Sequence, residues 1–235
     1  MASILVLQHS ERCTPGRLGE VLIAHGRRLD VRFVGRDGAG ALPTDLREYA
    51  GVLSLGGPQN VDEGHAWMPA EMALLKRAHG AGLGVVGICL GHQLLATAMG
   101  GRVAPMATPE VGFRPVTLTP PGRDDPVLAG QQWTTMQFCS HGQEVVQAPP
   151  GAVVLAGSAP CRVQAYGLGP RSYGFQYHFE WTRPMLKAVS ASDDSLLCRC
   201  GMTLEDIDEQ CETHYARFDE VSKRLCGQIA GMVLG

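Results

Sequence analysis

Apolar residues recur along the chain in two rhythms. Up to about residue 100, the short apolar runs Ile4 to Leu7, Val31 to Val34, Val52 to Leu55 and Gly84 to Ile88 predict buried strands. Between them, Gly16 to Arg27 places Leu18, Val21 and Leu22 on one side of a helix. Trp67 to His79 does the same with Met68, Met72, Leu75 and Ala78, and a small-residue helix runs from Cys89 to Met99. Strand alternating with helix implies a parallel sheet with both faces covered.

After Gly100-Gly101 the rhythm shortens. Phe113 to Thr119, Gln137 to Cys139, Val145-Val146, Val153 to Ala156, Arg162 to Tyr166 and Tyr173 to His178 predict antiparallel or mixed strands, separated by turns such as Pro120-Pro121-Gly122 and Pro149-Pro150-Gly151. Beyond Pro184 the pattern turns helical. Thr203 is a candidate N-cap with Glu205 and Asp206 in the first turn. Leu204, Ile207, Cys211, Tyr215, Phe218, Val221, Leu225 and Ile229 follow at spacings of three and four, giving one long amphipathic helix or two broken near Gly227. Ser190 to Ser195 reads as a hinge. The expected organisation is one domain over 1–189 and a C-terminal helical extension over 190–235 packed on it.

Charge narrows the function classes. Lys plus Arg is 20 against 23 Asp plus Glu, a net charge of −3, which gives no basic footprint for nucleic acid. No apolar run approaches the ~20 residues of a membrane span, and the first residues lack the pattern of a signal peptide. The expectation is a cytoplasmic protein with neither a nucleic acid nor a membrane as partner, its eight cysteines kept as thiols.

Candidate chemistry concentrates at Gly87-Ile88-Cys89-Leu90-Gly91-His92-Gln93. An apolar strand runs into a cysteine, a helix starts at once, and glycines stand two before and two after. This is the thiol form of a nucleophile elbow. A cysteine with a pKa of about 8.5 is only about 3% thiolate at pH 7, and a helix N-terminus favours the anion. The pattern therefore gives Cys89 a setting that favours the thiolate, whether or not the resting chain already holds it in that form. The competing reading, a small buried apolar side chain, is weakened by the glycines. In Tyr177-His178-Phe179-Glu180, strand alternation would put His178 and Glu180 on one face, where the carboxylate can orient the imidazole. Alone, such a pair also fits a solvated strand face. Leu55-Gly56-Gly57-Pro58 ends a strand in a loop able to point backbone N–H groups at a ligand, or in an ordinary tight turn.

Together these segments resemble the class I glutamine amidotransferase family. Gly87 to Gln93 is similar to its Gly-x-Cys-x-Gly-x-Gln motif, Tyr177 to Glu180 to its His-Pro-Glu motif, and Leu55 to Pro58 to its oxyanion loop. Ser140-His141-Gly142 is similar to a segment in the glutaminase domain of GMP synthase. The resemblance spans roughly residues 4 to 188, with order and spacing in agreement. It implies an α/β fold: an open, mostly parallel, flavodoxin-like sheet flanked by helices, with a small antiparallel strand set. It implies a triad of Cys89, His178 and Glu180, oxyanion donors at the Gly57 and Leu90 N–H groups, and substrate contacts at Gln93, Ser140, His141 and Gly142. The implied reaction releases ammonia from the glutamine side-chain amide through a γ-glutamyl thioester, with no cofactor, for a synthetase partner.

Two positions depart from the pattern: Phe179 stands where the family has Pro, and Gln143 where GMP synthase has Asp. No nucleotide-binding loop of the adenylating half follows. A γ-glutamyl peptide hydrolase with the same triad, and a catalytically silent binding domain, stay open beside the glutaminase. Cys198, Cys200, Cys211 and His214 do not have the spacing of a usual zinc site, so no metal is expected. His65, Trp67 and Met68 either border the substrate mouth or pack, and His92 is expected to be structural.

Overall fold

The computed structural model describes residues 3–192 and 194–235. In chain order the elements are β1 (Ser3–Gln8), α1 (Gly16–Ala24), β2 (Arg28–Phe33), α2 (Val34–Asp37), β3 (Tyr49–Ser54), α3 (Met68–Gly80), β4 (Gly84–Ile88) and α4 (Leu90–Ala98). There follow β5 (Arg102–Leu118), α5 (Pro120–Asp124), β6 (Thr134–Gln147), β7 (Val153–Gly157), β8 (Ala165–Leu168) and β9 (Ser172–Phe175). Three helices end the chain: α6 (Arg183–Ser190), α7 (Asp194–Arg199) and α8 (Leu204–Gln228).

All nine strands join one mixed sheet in the order β2-β1-β3-β4-β9-β8-β7-β5-β6. The first five of these are parallel neighbours, and the pairs from β9 to β6 are antiparallel. The antiparallel set thus continues the parallel sheet. Alternation along β1 sends Ile4 and Val6 to one face and Leu5 and Leu7 to the other, and all four are fully buried. The first face packs on Leu18 and Leu22 of α1 and on Leu225 of α8. The second packs on Leu74 and Leu75 of α3 and on Leu94 and Leu95 of α4. Two covered faces explain why these strands read as continuous apolar runs. Truncating one such core leucine to alanine costs about 2–5 kcal/mol.

Several expected boundaries shift. Gln137 to Cys139 and Val145-Val146 belong to one long strand, β6, whose polar middle pairs with β5. Arg162 to Val163 precede β8 because a turn intervenes, with the Ser158 N–H donating to the Cys161 carbonyl. The strand expected over Tyr173 to His178 stops at Phe175, whose carbonyl accepts the Cys89 N–H; beyond it the chain bonds Gln164 and Phe138 instead. Val34 starts α2 rather than ending β2.

Thr203 caps α8 in a capping box with Asp206. Gly227 does not break that helix, and a π-helical turn follows over Ile229–Val233. Ile207, Cys211, Phe218, Val221 and Leu225 are buried along it, whereas Leu204 is exposed. Among the described residues no helix is long and apolar enough to cross a membrane. The hinge expected at Ser190 to Ser195 includes residue 193, which lies outside the described residues.

Candidate active site

At the end of β4 the chain turns sharply into α4 through Cys89, with φ 53° and ψ −106°. Among the described residues it is the one non-glycine with positive φ, a strained geometry that clusters at functional sites. Its glycines are required by contact. A Cβ at Gly87 would lie 2.4 Å from the Gly91 carbonyl oxygen, and one at Gly91 would lie 2.1 Å from the Ser54 carbonyl oxygen.

His178 leaves the sheet just past β9, and its N–H donates to the Phe138 carbonyl at 2.8 Å. Its Nδ1 meets Glu180 Oε1 at 2.8 Å, with both side chains buried. The pairing expected from strand alternation is therefore present, although a bend rather than a strand creates it. The bond occupies Nδ1 and leaves Nε2 for the nucleophile side. A methyl group at Gly56 would sit 2.7 Å from His178 Cε1, 3.6 Å from its Nε2 and 3.4 Å from Cys89 Cβ. Nucleophile and base candidates thus crowd the same spot over a residue that has no side chain.

The Cys89 sulfur donates to the Ser140 carbonyl at 3.7 Å. Burial pushes this thiol far up, and Cys13 and the Glu180 carboxylate push the same way; the Leu90 N–H and the Gln176 side chain pull it down without prevailing. In the resting site burial works against the thiolate that the elbow favours. The helix N-terminus favours the anion, but desolvation of a sulfur that is 5% exposed outweighs it.

Cys89, His178, Gly57 and Ser140 line a cleft of about 430 Å³, with Cys13 and Trp181 on its wall. A narrow recess of about 60 Å³ adjoins it, lined by Leu90, Gln93, Gly142, Gln143 and Leu196 among others. Gly57 and Leu90 therefore both face the space beside the sulfur. Gln93 is buried, and its Nε2 donates to the Gln143 carbonyl and to Gln176 Oε1, each at 3.0 Å, tying α4 to the site walls. Gln143 accepts the Val61 N–H and donates to Asp62, so it braces the loop beyond the oxyanion candidate. The ring of His141 is committed elsewhere: Nδ1 meets the Gln143 carbonyl at 3.0 Å, and Nε2 faces Glu110. Phe179 is fully buried against Phe175 and Tyr177 and anchors the segment where the family has Pro.

Sequence reasoning missed several neighbours. Trp181 stacks on His178. Gln176 is fully buried, its Nε2 has no hydrogen-bond partner among the described residues, and it stands where it would donate to a Cys89 thiolate. The signal for it was a second polar residue, besides His178, inside the otherwise apolar run Tyr173 to Phe179. Cys13 brings a second thiol, held up at about 12 by burial and the Glu180 carboxylate; nothing in its local sequence points to the cleft. His65 and Trp67 prove to be packing residues, with Trp67 stacked between His65 and His9. His92 is buried and pushed down to about 3 by desolvation, which keeps it neutral and structural. Cys198, Cys200, Cys211 and His214 are not gathered into a metal-ligating group among the described residues.

The family model described as "Glutamine amidotransferase class-I" matches residues 24–186. A glutamine-hydrolysing GMP synthase subunit from Halobacterium salinarum is 37% identical over 141 residues, covering 59% of this chain and 69% of that one. The crystal structure of a glutamine amido transferase from Methylobacillus flagellatus superposes with a TM-score of 0.86 at 26% identity, covering 99% of this chain and 96% of the other. That likeness extends over the helices beyond residue 186. A Thermoplasma acidophilum structure, that of a candidate GMP synthase subunit, superposes with a TM-score of 0.63 at 21% identity, covering 91% of this chain and 97% of that one, a likeness of fold alone.

Proposed function

This chain belongs to the class I glutamine amidotransferase family, a family of cysteine-dependent enzymes, and on that premise we propose that it hydrolyses the side-chain amide of glutamine through Cys89, His178 and Glu180. The observation that carries the assignment of residues is the approach of His178, oriented by Glu180 at 2.8 Å, to the strained Cys89 across Gly56.

The steps follow from the geometry. Glutamine enters the cleft with its amide carbon over the sulfur. His178 Nε2 takes the thiol proton as sulfur attacks, so the costly buried thiolate forms only as its charge passes to the substrate. The Leu90 and Gly57 N–H groups hold the resulting oxyanion, each worth about 3–4 kcal/mol in the transition state. The carbon–nitrogen bond then breaks, the imidazolium proton leaves with ammonia, and a γ-glutamyl thioester remains. Water, deprotonated by His178, attacks the thioester; glutamate departs and the thiol regains its proton. Ser140 and Gly142, with Gln93 bonded to the neighbouring Gln143 carbonyl, form the wall for the amino-acid end.

The GMP synthase relative is named as one subunit of its enzyme, and so is, by that name, part of a larger whole. On that ground we assign this chain a synthetase partner as ammonia acceptor. We also read residues 190–235 as an extension that braces the site. Arg17 supports this: its guanidinium donates to the Phe179 and Trp181 carbonyls on one side and to Tyr215 and Asp219 of α8 on the other.

The test is glutamate release from glutamine and from γ-glutamyl dipeptides, with Cys89→Ala as blank. Turnover of glutamine, trapped as the hydroxamate when hydroxylamine is added, is the expected result. Dipeptides cleaved while glutamine is inert would make the chain a γ-glutamyl peptide hydrolase. No turnover of either, with and without a synthetase, would leave a silent domain.

A further inference from the structure

A second group of reactive side chains lies behind the cleft wall. Glu110 of β5 and His141 of β6 are direct cross-strand partners, and Cys139 is two residues before His141, so all three project from the same face of the β5–β6 pair. One ligand atom from each falls within 4.8 Å of the others, and all three residues are buried. The hydrogen bonds around them fix the chemistry. A carbonyl can only accept, so His141 Nδ1 carries the proton it shares with the Gln143 carbonyl. With Nδ1 so engaged, Nε2 is the ring atom available to a ligand. That atom is buried, lies 3.3 Å from Glu110 Oε2, and has no hydrogen-bond partner among the described residues. An imidazole nitrogen, a carboxylate and a sulfur thus face one another in one buried group.

We infer that Glu110, Cys139 and His141 form a buried binding site for a divalent zinc-like cation. Nitrogen, sulfur and oxygen donors are the set zinc accepts, and donor atoms around a tetrahedral zinc lie about 3.3–3.6 Å apart. The 3.3 Å between His141 and Glu110 already matches that spacing. The surroundings supply the supporting contacts of a metal site. The Gln143 carbonyl sets the His141 tautomer, and Gln164 Nε2 donates to Glu110 Oε2 at 2.8 Å. Cys139 ligates as the thiolate, its proton passing to solvent as the ion enters. A doubly charged cation between one carboxylate and one thiolate gives a neutral group, which is what a buried position demands.

The ion would act on the cleft mechanically. Ser140 stands between the ligands Cys139 and His141, and its carbonyl faces the Cys89 sulfur. A cation holding the residues on either side of Ser140 fixes that wall. The sequence hid this site because Glu110 lies far upstream of Cys139 and His141, and a Cys-x-His spacing is not a usual zinc pattern.

The experiment is metal analysis of the full chain after zinc loading and desalting, with cobalt(II) substitution as a spectroscopic reporter. One zinc per chain, and a sulfur-to-cobalt charge-transfer band, are expected of the unaltered protein. Cys139→Ser should abolish the band and Glu110→Gln the bound zinc, Cys198→Ser should leave both intact, and Gln164→Ala should weaken binding by roughly 10–100-fold. Folded protein that takes up neither ion, or cobalt bound without the thiolate band, overturns the site. So does a band that survives Cys139→Ser or disappears with Cys198→Ser. A missing band in the folded unaltered protein overturns the site even where a variant does not fold, and no reading depends on glutaminase activity.

Discussion

The indole of Trp181 lies flat on the imidazole of His178, with ring centroids 3.6 Å apart and planes inclined by 16°. Both residues are buried, and Trp181 also lines the cleft. Glu180 fixes the direction of the Nδ1–H bond, but one hydrogen bond leaves the ring free to rotate about it. The indole removes that freedom and keeps Nε2 toward Cys89.

Trp181 is therefore a positioning residue, and replacing it should act on kcat more than on KM. Misplacement of a reacting group by about 1 Å costs on the order of 10²-fold in rate. Trp181→Ala should lower kcat by about that factor, with a smaller change in KM, and Trp181→Phe should restore most of it. Removing a buried indole also costs about 3–5 kcal/mol of stability, so Tm must be recorded alongside. Equal losses in the Ala and Phe variants would mean that stacking does not set the ring.

Gly56 offers a sharper steric test, because its added methyl would meet His178 Cε1 at 2.7 Å. The imidazole ring must move or the loop must retreat. Gly56→Ala should abolish glutamate release while far-UV circular dichroism and Tm stay near those of the parent. Retained activity would show that His178 has more room than the structure gives it.

The legible and hidden parts of this site differ in kind. The elbow at Cys89 was readable because its constraints are local: Gly87 and Gly91 sit within two residues of it, and each is forced by a backbone contact. The His178–Glu180 pair was readable for a partly wrong reason, since β9 ends at Phe175 and a bend joins the two side chains. The parallel half of the sheet was readable because double-sided burial makes strands such as Val85-Val86 uniformly apolar. β6 was not, because Ser140 to Gln143 interrupt its apolar pattern with residues that serve the cleft and the group behind it. Trp181, Gln176 and Cys13 reach the site by tertiary packing, which no local pattern encodes. The protonation state of Cys89 belongs to the same class, since desolvation is a property of the finished fold.

The loop carrying Gly57 rests on a buried pair. His9 Nε2 meets Glu71 Oε2 at 2.9 Å, its Nδ1 meets the Leu55 carbonyl at 3.0 Å, and Ser54 donates to the other oxygen of Glu71. Burial alone would lower the pKa of His9, but the Glu71 carboxylate and the Leu55 and Gly56 main chain outweigh it and hold it above the ordinary value of 6.5. The folded chain thus binds a proton that the unfolded chain gives up. The stability this contributes is fully present below pH 6.5 and declines as pH rises through the folded pKa. Urea unfolding from pH 6 to pH 9 should show that decline, and His9→Gln should flatten it. An unchanged slope in His9→Gln would assign the pH dependence to another group.

The neutral thiol of Cys89 predicts how the resting enzyme meets an alkylating reagent. Only the thiolate reacts, and burial holds this thiol protonated across the physiological range, with Cys13 and Glu180 adding to the effect. Iodoacetamide should therefore modify Cys89 slowly at pH 7, with a rate that keeps rising past pH 9 and no plateau near neutrality. An analogue that carries an electrophilic carbon in place of the amide should react much faster at the same pH. Its attack is coupled to proton transfer to His178, so no free thiolate needs to accumulate. His178→Ala should erase that advantage and leave the slow iodoacetamide rate nearly unchanged. A plateau of alkylation below pH 8 would mean instead that the elbow carries a standing thiolate, and that the helix N-terminus outweighs burial after all.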